Sequence, residues 1–387
     1  MQRIKTQERP EWKRKAAEYG FKFHTMWGES YWDERAYYAF TIEQIEKDLE
    51  EPTAEIHQMC LQVVDRVVHD GRLLKKFSIP EPFWDLVRTS WMNRDPSLYS
   101  RIDFAYDGKS PAKLYENNAD TPTSLYETGF WQWVWLDDMI KAGELPEQTD
   151  QFNSLQEKLV ARFSTIEANS LGGPLHFSCC EGSEEDRGTV QYLEDCARES
   201  GIDTKFVYVD DIGYGEGDVL TDLDDQIIER IFKLYPLEFM FEESFGRLLL
   251  TSNTQFIEPF WKAVLSNKAL LPLLWEMFPR HPNLLPAYFE GDSKASELTR
   301  YVRKPLFSRE GSNISIVENG NTLQAVTGPY GAEGYILQAY HPLPRFDENH
   351  TLVGSWLVDG EPAGISIRED TNQITQDLSR FLPHIIS

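Results

Sequence analysis

Charged and amide side chains alternate along two short segments near residue 100, and their spacing suits a metal site. Arg101 and Asp103 are two residues apart, as are Glu116 and Asn118, and residues two apart on a β-strand point to the same face. If the two segments pair, one cation, two carboxylates and one amide converge. Such oxygen ligands suit Mg²⁺, which completes its shell with water and phosphate oxygens. The alternative, which spacing alone favours, is a surface hairpin carrying ordinary salt bridges.

Two lysines much later in the chain are candidates for phosphate binding. Lys304 ends an apolar segment and leads into a loop that contains Gly311 and Ser312. A cation beside closely approaching backbone N–H groups suits a phosphate, although a plain β-turn is the alternative. The loop lacks the Gly-Lys-Ser/Thr ending of a Walker motif. Lys268 begins an apolar helical segment, where a surface lysine is the alternative.

A further segment has the character of a hinge that contacts a nucleobase. Gln338, Ala339, Tyr340 and His341 follow an apolar segment and precede a proline. Backbone groups in such a position could pair with the edge of an adenine. The alternative is an ordinary edge strand that ends at the proline.

The elements that must position these residues begin with a predicted β-hairpin. Residues 102–106 alternate apolar and polar side chains, Asp107-Gly108 is a turn signal, and residues 112–115 resume a strand-like pattern. Helices are predicted before and after the hairpin, at 41–71 and 124–142. Three polar residues lie between the hairpin and the second helix and serve either as helix caps or as substrate ligands: Asp120, Thr121 and Thr123.

The middle of the chain predicts an α/β unit. A strand at 174–180, a helix at 187–200 and a second buried strand at 205–210 give the order of a βαβ unit. Further helices are predicted at 222–234 and 268–277. The last third predicts antiparallel strands, because Asn319-Gly320 and Asp359-Gly360 are hairpin turn signals. These strands are expected at 301–307, 313–317, 334–338, 352–358 and 363–368.

Composition restricts the class of protein. The formal net charge is −25, so the chain repels phosphate backbones and nucleic acid is a poor partner. The charge suits a cationic substrate such as an amine or polyamine, or serves solubility alone. The four cysteines are irregularly spaced, which fits a reducing compartment. We find neither an apolar signal region at the N-terminus nor an apolar run that could span a membrane, and expect a cytoplasmic protein with no membrane partner.

Several motifs together resemble the synthetase domain of the glutathionylspermidine synthase family, in the ATP-grasp superfamily. They are SRID at 100–103, YENNAD at 115–120, SNKALLP at 266–272, and KP at 304–305 with GSN at 311–313. The resemblance covers about residues 10–384 and is strongest to the stand-alone bacterial proteins assigned as acid–amine ligases. It implies a mixed α/β and α+β ATP-grasp synthetase with a pre-ATP-grasp-like α/β lobe and a mobile antiparallel lid. The expected organisation is one synthetase unit over 1–387, with a helical scaffold at 1–100, the metal hairpin and substrate lobe at 101–260, the ATP-grasp lid at 261–345, and a return to the ATP-grasp core at 346–387.

The resemblance also implies roles for individual residues. Arg101 and Arg368 match catalytic arginines, and Asp103, Glu116 and Asn118 match magnesium ligands. The residues that match the ATP site are Arg101, Asp103, Lys268, Lys304, Gly311, Ser312, Gln338, Ala339, Tyr340, His341, Gln373, Ile374 and Thr375. The acidic residues Glu184, Glu185 and Asp186 lie where the family places substrate-binding glutamates.

The implied function is a Mg-ATP-dependent ligase that joins a small carboxylic acid, peptide-like or otherwise, to an amine such as a polyamine. The route is an acyl phosphate, and the cofactors are ATP and Mg²⁺. Because the family's amidase domain has no counterpart in the sequence, we expect no hydrolysis of the amide. Thr121-Pro122-Thr123 replaces a serine-rich stretch of the family, which leaves glutathione and spermidine open as substrates. The alternatives are a glycosidase-like hydrolase with paired carboxylates and an inactive nucleotide-binding protein.

Overall fold

The predicted hairpin lies in an antiparallel six-stranded sheet. The computed structural model describes residues 1–168, 172–375 and 379–387. The strands of this sheet are β5 (Tyr99–Ala105), β6 (Lys113–Asn118), β18 (Arg345–Phe346), β19 (Asn349–Val358), β20 (Glu361–Asp370) and β21 (Arg380–Leu382). Their order is β21-β20-β19-β5-β6, and β18 pairs with β19.

The protein has two other large sheets, one parallel and one antiparallel. The parallel sheet has the order β12-β11-β7-β8 and the five-stranded sheet has the order β13-β17-β14-β15-β16. The parallel strands are β7 (Leu175–Cys179), β8 (Thr204–Phe206), β11 (Arg230–Leu234) and β12 (Gln255–Ile257). The strands of the five-stranded sheet, which pair antiparallel, are β13 (Ala287–Phe289), β14 (Arg300–Pro305), β15 (Ser315–Glu318), β16 (Asn321–Ala325) and β17 (Tyr335–Ala339).

Three small sheets complete the β-structure of the described residues. The first forty residues, expected to belong to a helical scaffold, contribute four strands. The first small sheet has β4 (Ala36–Phe40) in its centre, between β1 (Gln2–Lys5) and β22 (His384–Ile386). The other two are two-stranded: β2 (Thr25–Met26) with β3 (Glu29–Ser30), and β9 (Gly213–Tyr214) with β10 (Leu220–Thr221).

The helices surround these sheets. The α-helices are α1 (Trp12–Glu18), α2 (Glu51–Val68), α3 (Gly71–Lys76), α4 (Trp84–Met92), α5 (Gln132–Lys141), α6 (Leu155–Ala168), α7 (Glu184–Glu199), α8 (Leu237–Glu242), α9 (Lys262–Leu265) and α10 (Leu270–Met277). π-Helical turns cover Gln44–Glu50 and Glu127–Trp131, and 3₁₀ turns cover Glu81–Phe83, Val209–Asp211, Gly246–Leu250 and Ser293–Glu297. In the described residues, no helix combines the length and apolarity needed to cross a membrane.

One face of the six-stranded sheet packs against the hydrophobic core around α2, and the other face is polar. Ile102, Phe104 and Ile365 belong to the hydrophobic core that includes α2, and Thr53 of α2 donates a hydrogen bond to Ser355 at 2.7 Å. Because side chains alternate along a strand, the residues between them point away from α2. The polar hairpin residues therefore lie on the opposite face of the sheet, where the chain can build a site.

Most predicted elements are confirmed. The backbone N–H of Gln44 donates to Thr41 Oγ1 at 3.2 Å, and the Thr41 N–H donates to Gln44 Oε1 at 3.1 Å, as a capping box requires. The β7-α7-β8 unit is parallel. The two hairpin turns have positive φ at both residues: 49° and 79° at Asn319-Gly320, and 51° and 79° at Asp359-Gly360. These turn residues therefore set the two hairpins as expected.

Two predictions in the middle of the chain are wrong. Residues 222–234 do not form a helix, because the Asp222 carboxylate accepts hydrogen bonds from the N–H groups of Asp224 and Gln226, both at 2.9 Å, and holds a turn. The chain then enters strand β11. The strand predicted at 205–210 is shorter than expected and half-buried, since β8 lies at the edge of the parallel sheet.

Candidate functional site

The predicted hairpin brings the four polar residues together on one face. Arg101 is paired with Asn118 and Asp103 with Glu116 across β5 and β6. The guanidinium of Arg101 binds both carboxylate oxygens of Asp103, with Nε to Oδ1 at 2.7 Å and Nη2 to Oδ2 at 3.1 Å. The Asn118 amide donates to Asp103 Oδ2 at 2.9 Å and to Glu116 Oε1 at 3.4 Å. The convergence expected from residue spacing is thus confirmed.

Arg101 depends on two residues that the sequence did not single out. On β19, Trp356 is paired with Arg101, and Gly354, two residues away on the same face, is paired with Asp103. The guanidinium carbon lies 5.4 Å from the centre of the Trp356 ring, a cation–π distance. A Cβ on Gly354 would lie 2.8 Å from Arg101 Cδ and 2.6 Å from Ser366 Oγ. The absence of a side chain at 354 therefore leaves the space that Arg101 occupies.

Both predicted lysines reach this face from later segments. Lys268 Nζ lies 3.1 Å from Glu116 Oε2 and donates to the Ser308 carbonyl at 2.7 Å. Lys304 Nζ donates to the Tyr115 carbonyl at 2.9 Å. Both lysines are buried, so the surface-lysine alternative is wrong for Lys268.

A cleft between the six-stranded and five-stranded sheets collects most of the predicted ATP residues. Its walls also include apolar side chains such as Val302, Leu343 and Leu352. The predicted residues that line it are Asp103, Glu116, Lys304, Gly311, Gln338, Ala339, Tyr340, His341, Gln373, Ile374 and Thr375. These residues come from five separate segments, so their convergence is a property of the tertiary structure.

A smaller pocket adjoins the charged end of this cleft. It is lined by Asn118, Lys268, Ser308 and a residue that sequence reasoning missed, Arg309. The Arg309 guanidinium donates to Thr121 Oγ1 and to Glu238 Oε1, the latter at 3.3 Å. The missed signal was a second basic residue in the stretch from Lys304 to Gly311. Arg309 therefore adds a cation to the pocket that Asn118 and Lys268 also line.

The glycine loop and the 373–375 segment are in close contact. Gly311 has a φ of +73°, and a Cβ there would lie 2.7 Å from the Thr375 carbonyl oxygen and 2.9 Å from Ile374 Cγ2. Ser312 is not among the residues that line the cleft, and its carbonyl accepts a hydrogen bond from Ser308 Oγ at 2.7 Å. Gly311 thus allows the loop to close against the opposite wall.

The hinge segment is partly engaged already. The N–H groups of Ala339 and Tyr340 donate to Pro286 and Arg300 carbonyls at 2.7 and 3.1 Å. The buried Gln338 side chain donates to the Leu114 carbonyl at 3.0 Å. These three donors are therefore already used within the protein. An adenine edge at this segment could pair only with its other backbone groups.

Arg368 lies on the same sheet face, farther from the metal candidates. It is paired with Leu352 on β19 and Phe381 on β21, and its guanidinium carbon lies 5.0 Å from the centre of the Phe381 ring. Two strand spacings separate β20 from β5, which is roughly 10 Å. The structure thus brings Arg368 to the site region, beside the hairpin rather than against it.

Glu127 and Glu185 form an acidic cluster near Arg368, and sequence reasoning had not singled out Glu127. Tyr31 donates its hydroxyl hydrogen to Glu185 at 2.9 Å. Burial raises the pKa of Glu127 to about 8, the Glu185 carboxylate adds to the rise, and Tyr31 and Arg368 oppose it. Of the acidic triplet at the start of α7, Glu185 is therefore the member placed in this cluster.

The segment between the hairpin and the next helix does not serve as a helix cap. Asp120 forms a buried ion pair with Lys233 and accepts a hydrogen bond from the Leu237 N–H at 2.8 Å. The Thr123 carbonyl accepts a hydrogen bond from Arg101 Nη1 at 3.0 Å. These contacts, with that of Thr121 to Arg309, fix the segment against the site.

Buried groups of opposite charge shift each other's pKa values in the cleft. Burial would raise the pKa of Glu116, but Lys268, Lys304 and Arg101 lower it to about 2. Burial and the neighbouring Lys268 together lower the pKa of Lys304 to about 8, against the opposing effect of the Glu116 and Asp103 carboxylates. No group of three His, Cys, Asp or Glu side chains in the described ranges could hold a metal, so a cation here would rely on two carboxylates, an amide and non-protein oxygens.

Comparisons with known proteins show which family the chain resembles along its length. The family profile described as "Glutathionylspermidine synthase preATP-grasp" matches residues 3–387. A Haemophilus influenzae protein named "Putative acid--amine ligase" is 39% identical over 97% of both chains. The "Bifunctional glutathionylspermidine synthetase/amidase" of Escherichia coli is 27% identical over 90% of this chain and 59% of its own. The "Trypanothione synthetase" of Crithidia fasciculata is 27% identical over 83% of this chain and 52% of its own.

A solved structure agrees at the level of the fold. The glutathione synthetase like-effector GSS30 of Globodera pallida, in its apoform, overlays with a TM-score of 0.56 at 10% identity and covers 98% of both chains. The mixed α/β architecture is therefore of the glutathione synthetase-like kind. Since the family profile spans nearly all of the sequence and an acid–amine ligase relative aligns along its length, the chain belongs to the glutathionylspermidine synthase family.

Proposed function

We propose that this protein is a Mg-ATP-dependent ligase that joins a carboxylic acid to an amine. The observation that carries the proposal is that Asp103 and Glu116 meet Lys304 in the cleft and Lys268 at its charged end, although some 150 residues or more separate the two pairs. Two acidic residues beside several cations suit a metal–polyphosphate complex. The relatives' names, ligase and synthetase, support the same class of reaction.

The hairpin is our candidate for the magnesium side of the site. Asp103, Glu116 and Asn118 offer two carboxylates and one amide oxygen, the ligand types that Mg²⁺ takes. The carboxylates face each other in register and are now compensated by Arg101 and Lys268. The donor set therefore fits a cation that keeps waters and phosphate oxygens in its shell.

The later segments are our candidates for the nucleotide side. Lys268, Lys304 and Arg309 would neutralise phosphate charge, and the Gly311 loop would bring N–H groups close to it. The 338–341 and 373–375 segments would hold the base. The space between these walls is about 80 Å³, far below the roughly 300–1,000 Å³ of ligand pockets. We therefore infer that residues 261–345 act as a lid that must move away to admit ATP, and that 346–387 complete an ATP-grasp core.

The proposed chemistry needs positioning and charge more than a nucleophile. When bound, Mg-ATP supplies the γ-phosphoryl group that activates the substrate carboxylate as an acyl phosphate. Arg101, fixed by Asp103 and the Thr123 carbonyl, would face the charge that develops during transfer. A lid closed by the Gly311–Thr375 contact would exclude water from the activated acid.

The acidic cluster is our candidate for the amine. Glu185 accepts a hydrogen bond from Tyr31, with Glu127 behind it, and carboxylates in this position suit an ammonium group. Two relatives are named for glutathionylspermidine and trypanothione synthesis. A polyamine is therefore the first amine to test, and a peptide-like acid is the first acid.

A carboxylate-pair hydrolase fits the site less well. A glycosidase needs one carboxylic acid that stays protonated until it acts. The pKa of Glu116 is lowered to about 2, and Asp103 is bound on both oxygens by Arg101. Neither carboxyl group is suited to donate a proton at neutral pH.

The test is a screen of acid–amine pairs for ADP release, with mass spectrometry of the new amide. ADP release that requires Mg²⁺, an acid and an amine would support the proposal. A Glu116→Ala, Asn118→Ala double variant that keeps full ATP turnover would remove the metal assignment. Absence of nucleotide binding, measured by calorimetry with ATP and Mg²⁺, would remove the function itself.

A further inference from the structure

A second cavity lies on the parallel sheet, away from the nucleotide cleft. It encloses about 340 Å³, within the range of small-molecule pockets. Its floor is the face of β7, β11 and β12 opposite the helices α6 and α7. The side chains there are Ser178, Ile231, Lys233 and Phe256. None of these residues serves the nucleotide site described above.

The cavity lies at the kind of position where open α/β sheets bind ligands, because a crevice opens where consecutive connections leave the sheet in opposite directions. From β7 the chain crosses to β8 on one side, and it then returns past β7 to form β11 and β12 on the other. The switch point thus lies between β7 and β11. Ser178 and Lys233 are paired across these two strands near their carboxyl ends.

The polar end of the cavity leads toward the charged site. Lys233 forms its buried ion pair with Asp120, which lines the pocket that also contains Lys268 and Arg309. Ser178 is fully buried, and its hydroxyl has no hydrogen-bond partner among the residues that the structure describes. A buried hydroxyl without a partner is costly, so a polar atom of a ligand would satisfy it.

The remaining walls are mostly apolar and aromatic, and they also include the exposed polar residues Asp210 and Ser244. They come from the β9–β10 hairpin, from α8 and from the 3₁₀ turn after it, and include Tyr235, Met240, Phe245 and Leu248. Two aromatic residues form an exposed rim, since Tyr214 is 71% and Phe245 39% exposed. Apart from Ser178 and Lys233, the buried part of this lining is apolar and offers no buried carboxylate among its described residues. It therefore suits an alkyl or aryl group better than a polyamine.

Helix α8 separates the cavity from the phosphate end of the cleft. Glu238 on one side of this helix contacts Arg309, whereas Met240 lines the cavity. The Leu237 N–H at the start of the helix donates to Asp120. Lys233 lines the cavity, and its ion-pair partner Asp120 lines the smaller charged pocket. An arm that extends from that pocket into the cavity must therefore pass this pair and α8.

We propose that the cavity binds an apolar alkyl or aryl arm of the carboxylic acid that the enzyme activates, with Ser178 hydrogen-bonded to a polar atom of that arm. This inference rests on the proposed ligase function, and it deepens that function by naming the class of acid. The amine is assigned to the acidic cluster around Glu185, away from this apolar lining.

The test measures binding to the full chain without ATP, so that it does not depend on catalysis. The probes are ω-phenylalkanoates of increasing length and N-benzoyl-γ-aminobutyrate, followed by isothermal titration calorimetry. We expect affinity to rise with chain length and to fall about tenfold or more in Leu248→Trp, which fills the cavity. The matched control is Leu223→Trp, because Leu223 is 73% exposed and is not part of the lining.

A second, smaller substitution keeps the test valid if Leu248→Trp does not fold. Ser178→Ala removes only the hydroxyl, and we expect it to weaken N-benzoyl-γ-aminobutyrate while leaving phenylhexanoate unchanged. Equal affinities for wild type and Leu248→Trp, or no binding of any probe, would overturn the proposal. If the probes fail in this way but ADP release still depends on an acid and an amine, the cavity proposal is wrong and the ligase function stands. If the probes bind to a protein that does not bind ATP, the ligase function is wrong and the cavity remains a binding site.

Discussion

Asp103 and Glu116 face each other across two paired strands, and each is bound by a different cation. Asp103 is bound by Arg101 at 2.7 Å, and Glu116 lies 3.1 Å from Lys268. Like charges directly opposite on a sheet destabilise it unless they are compensated. The two cations supply that compensation, and a bound metal would supply it in their place.

Asp103→Asn should remove Mg²⁺-dependent ATP turnover and leave the fold intact. The amide keeps the shape and loses the charge that Arg101 and a metal require, so we expect a loss of at least about 100-fold. ADP release at saturating Mg²⁺ measures it. The control Asp137→Asn breaks only an exposed pair with Lys141 and should keep wild-type turnover. Equal turnover in the two variants would contradict the metal assignment.

ATP binding should take up a proton near pH 8.5. The pKa of Lys304 is lowered to about 8 by burial, so part of the free protein carries a neutral lysine there, and a bound phosphate favours the charged form. Affinity should therefore fall as pH rises above 8. Titration calorimetry in buffers of different ionisation enthalpy measures the uptake. Lys304→Met should bind ATP without this proton uptake, and an uptake that survives the substitution would assign the proton to another group.

Gly354→Ala should displace Arg101 and lower kcat more than it raises KM. The new Cβ would lie 2.8 Å from Arg101 Cδ, and a small misplacement of a catalytic group costs on the order of 100-fold. Gly215→Ala is the control, because a Cβ there meets only side-chain carbons of Thr221 and Val219 at 3.3 and 3.4 Å. Unchanged kcat in a folded Gly354→Ala protein would show that Arg101 is not required for turnover.

Gly311→Ala should weaken ATP binding, whereas Gly320→Ala should not. Both glycines have similar positive φ, 73° and 79°, so both substitutions carry a similar backbone strain. Only at Gly311 would the Cβ meet an opposing wall, at 2.7 Å from the Thr375 carbonyl oxygen. We expect the KM for ATP to rise roughly tenfold in Gly311→Ala alone. Equal values for the two variants would mean that loop closure does not contribute to ATP binding.

Glu127→Gln should stabilise the protein progressively from pH 5 to pH 8. The folded-state pKa of Glu127 is raised to about 8, well above the roughly 4.3 of an unfolded chain. Between these values the native state binds more protons than the unfolded state, so wild-type stability falls as pH rises. The glutamine variant lacks this loss and should gain at least about 1 kcal/mol at pH 8. Denaturant midpoints at pH 5 and pH 8 measure the difference, with the exposed Glu157→Gln as control. A difference that is the same at both pH values would contradict the raised pKa.

The sequence was enough to predict the local elements of the site. Alternation along 100–106 and the Asp107-Gly108 turn signal predicted the hairpin, and a period of two residues placed Arg101, Asp103, Glu116 and Asn118 on one face, as found. These predictions succeed because strand alternation and turn chemistry depend on neighbours in the chain. The helix predicted at 222–234 failed because the Asp222 side chain captured backbone N–H groups, an interaction that apolar periodicity does not reveal.

Only the tertiary structure decided what the hairpin faces. Spacing alone favoured a surface hairpin, and nothing in the local sequence placed Lys268 against Glu116 or brought the Thr375 carbonyl to Gly311. The space that Gly354 leaves for Arg101, and the cavity at the switch point of the parallel sheet, likewise depend on strand order. Contacts between distant segments are set by how sheets pair and pack, and a short stretch of sequence carries no record of its partner. By itself, then, the sequence determined the residues that could do the chemistry, and the fold determined which of them meet.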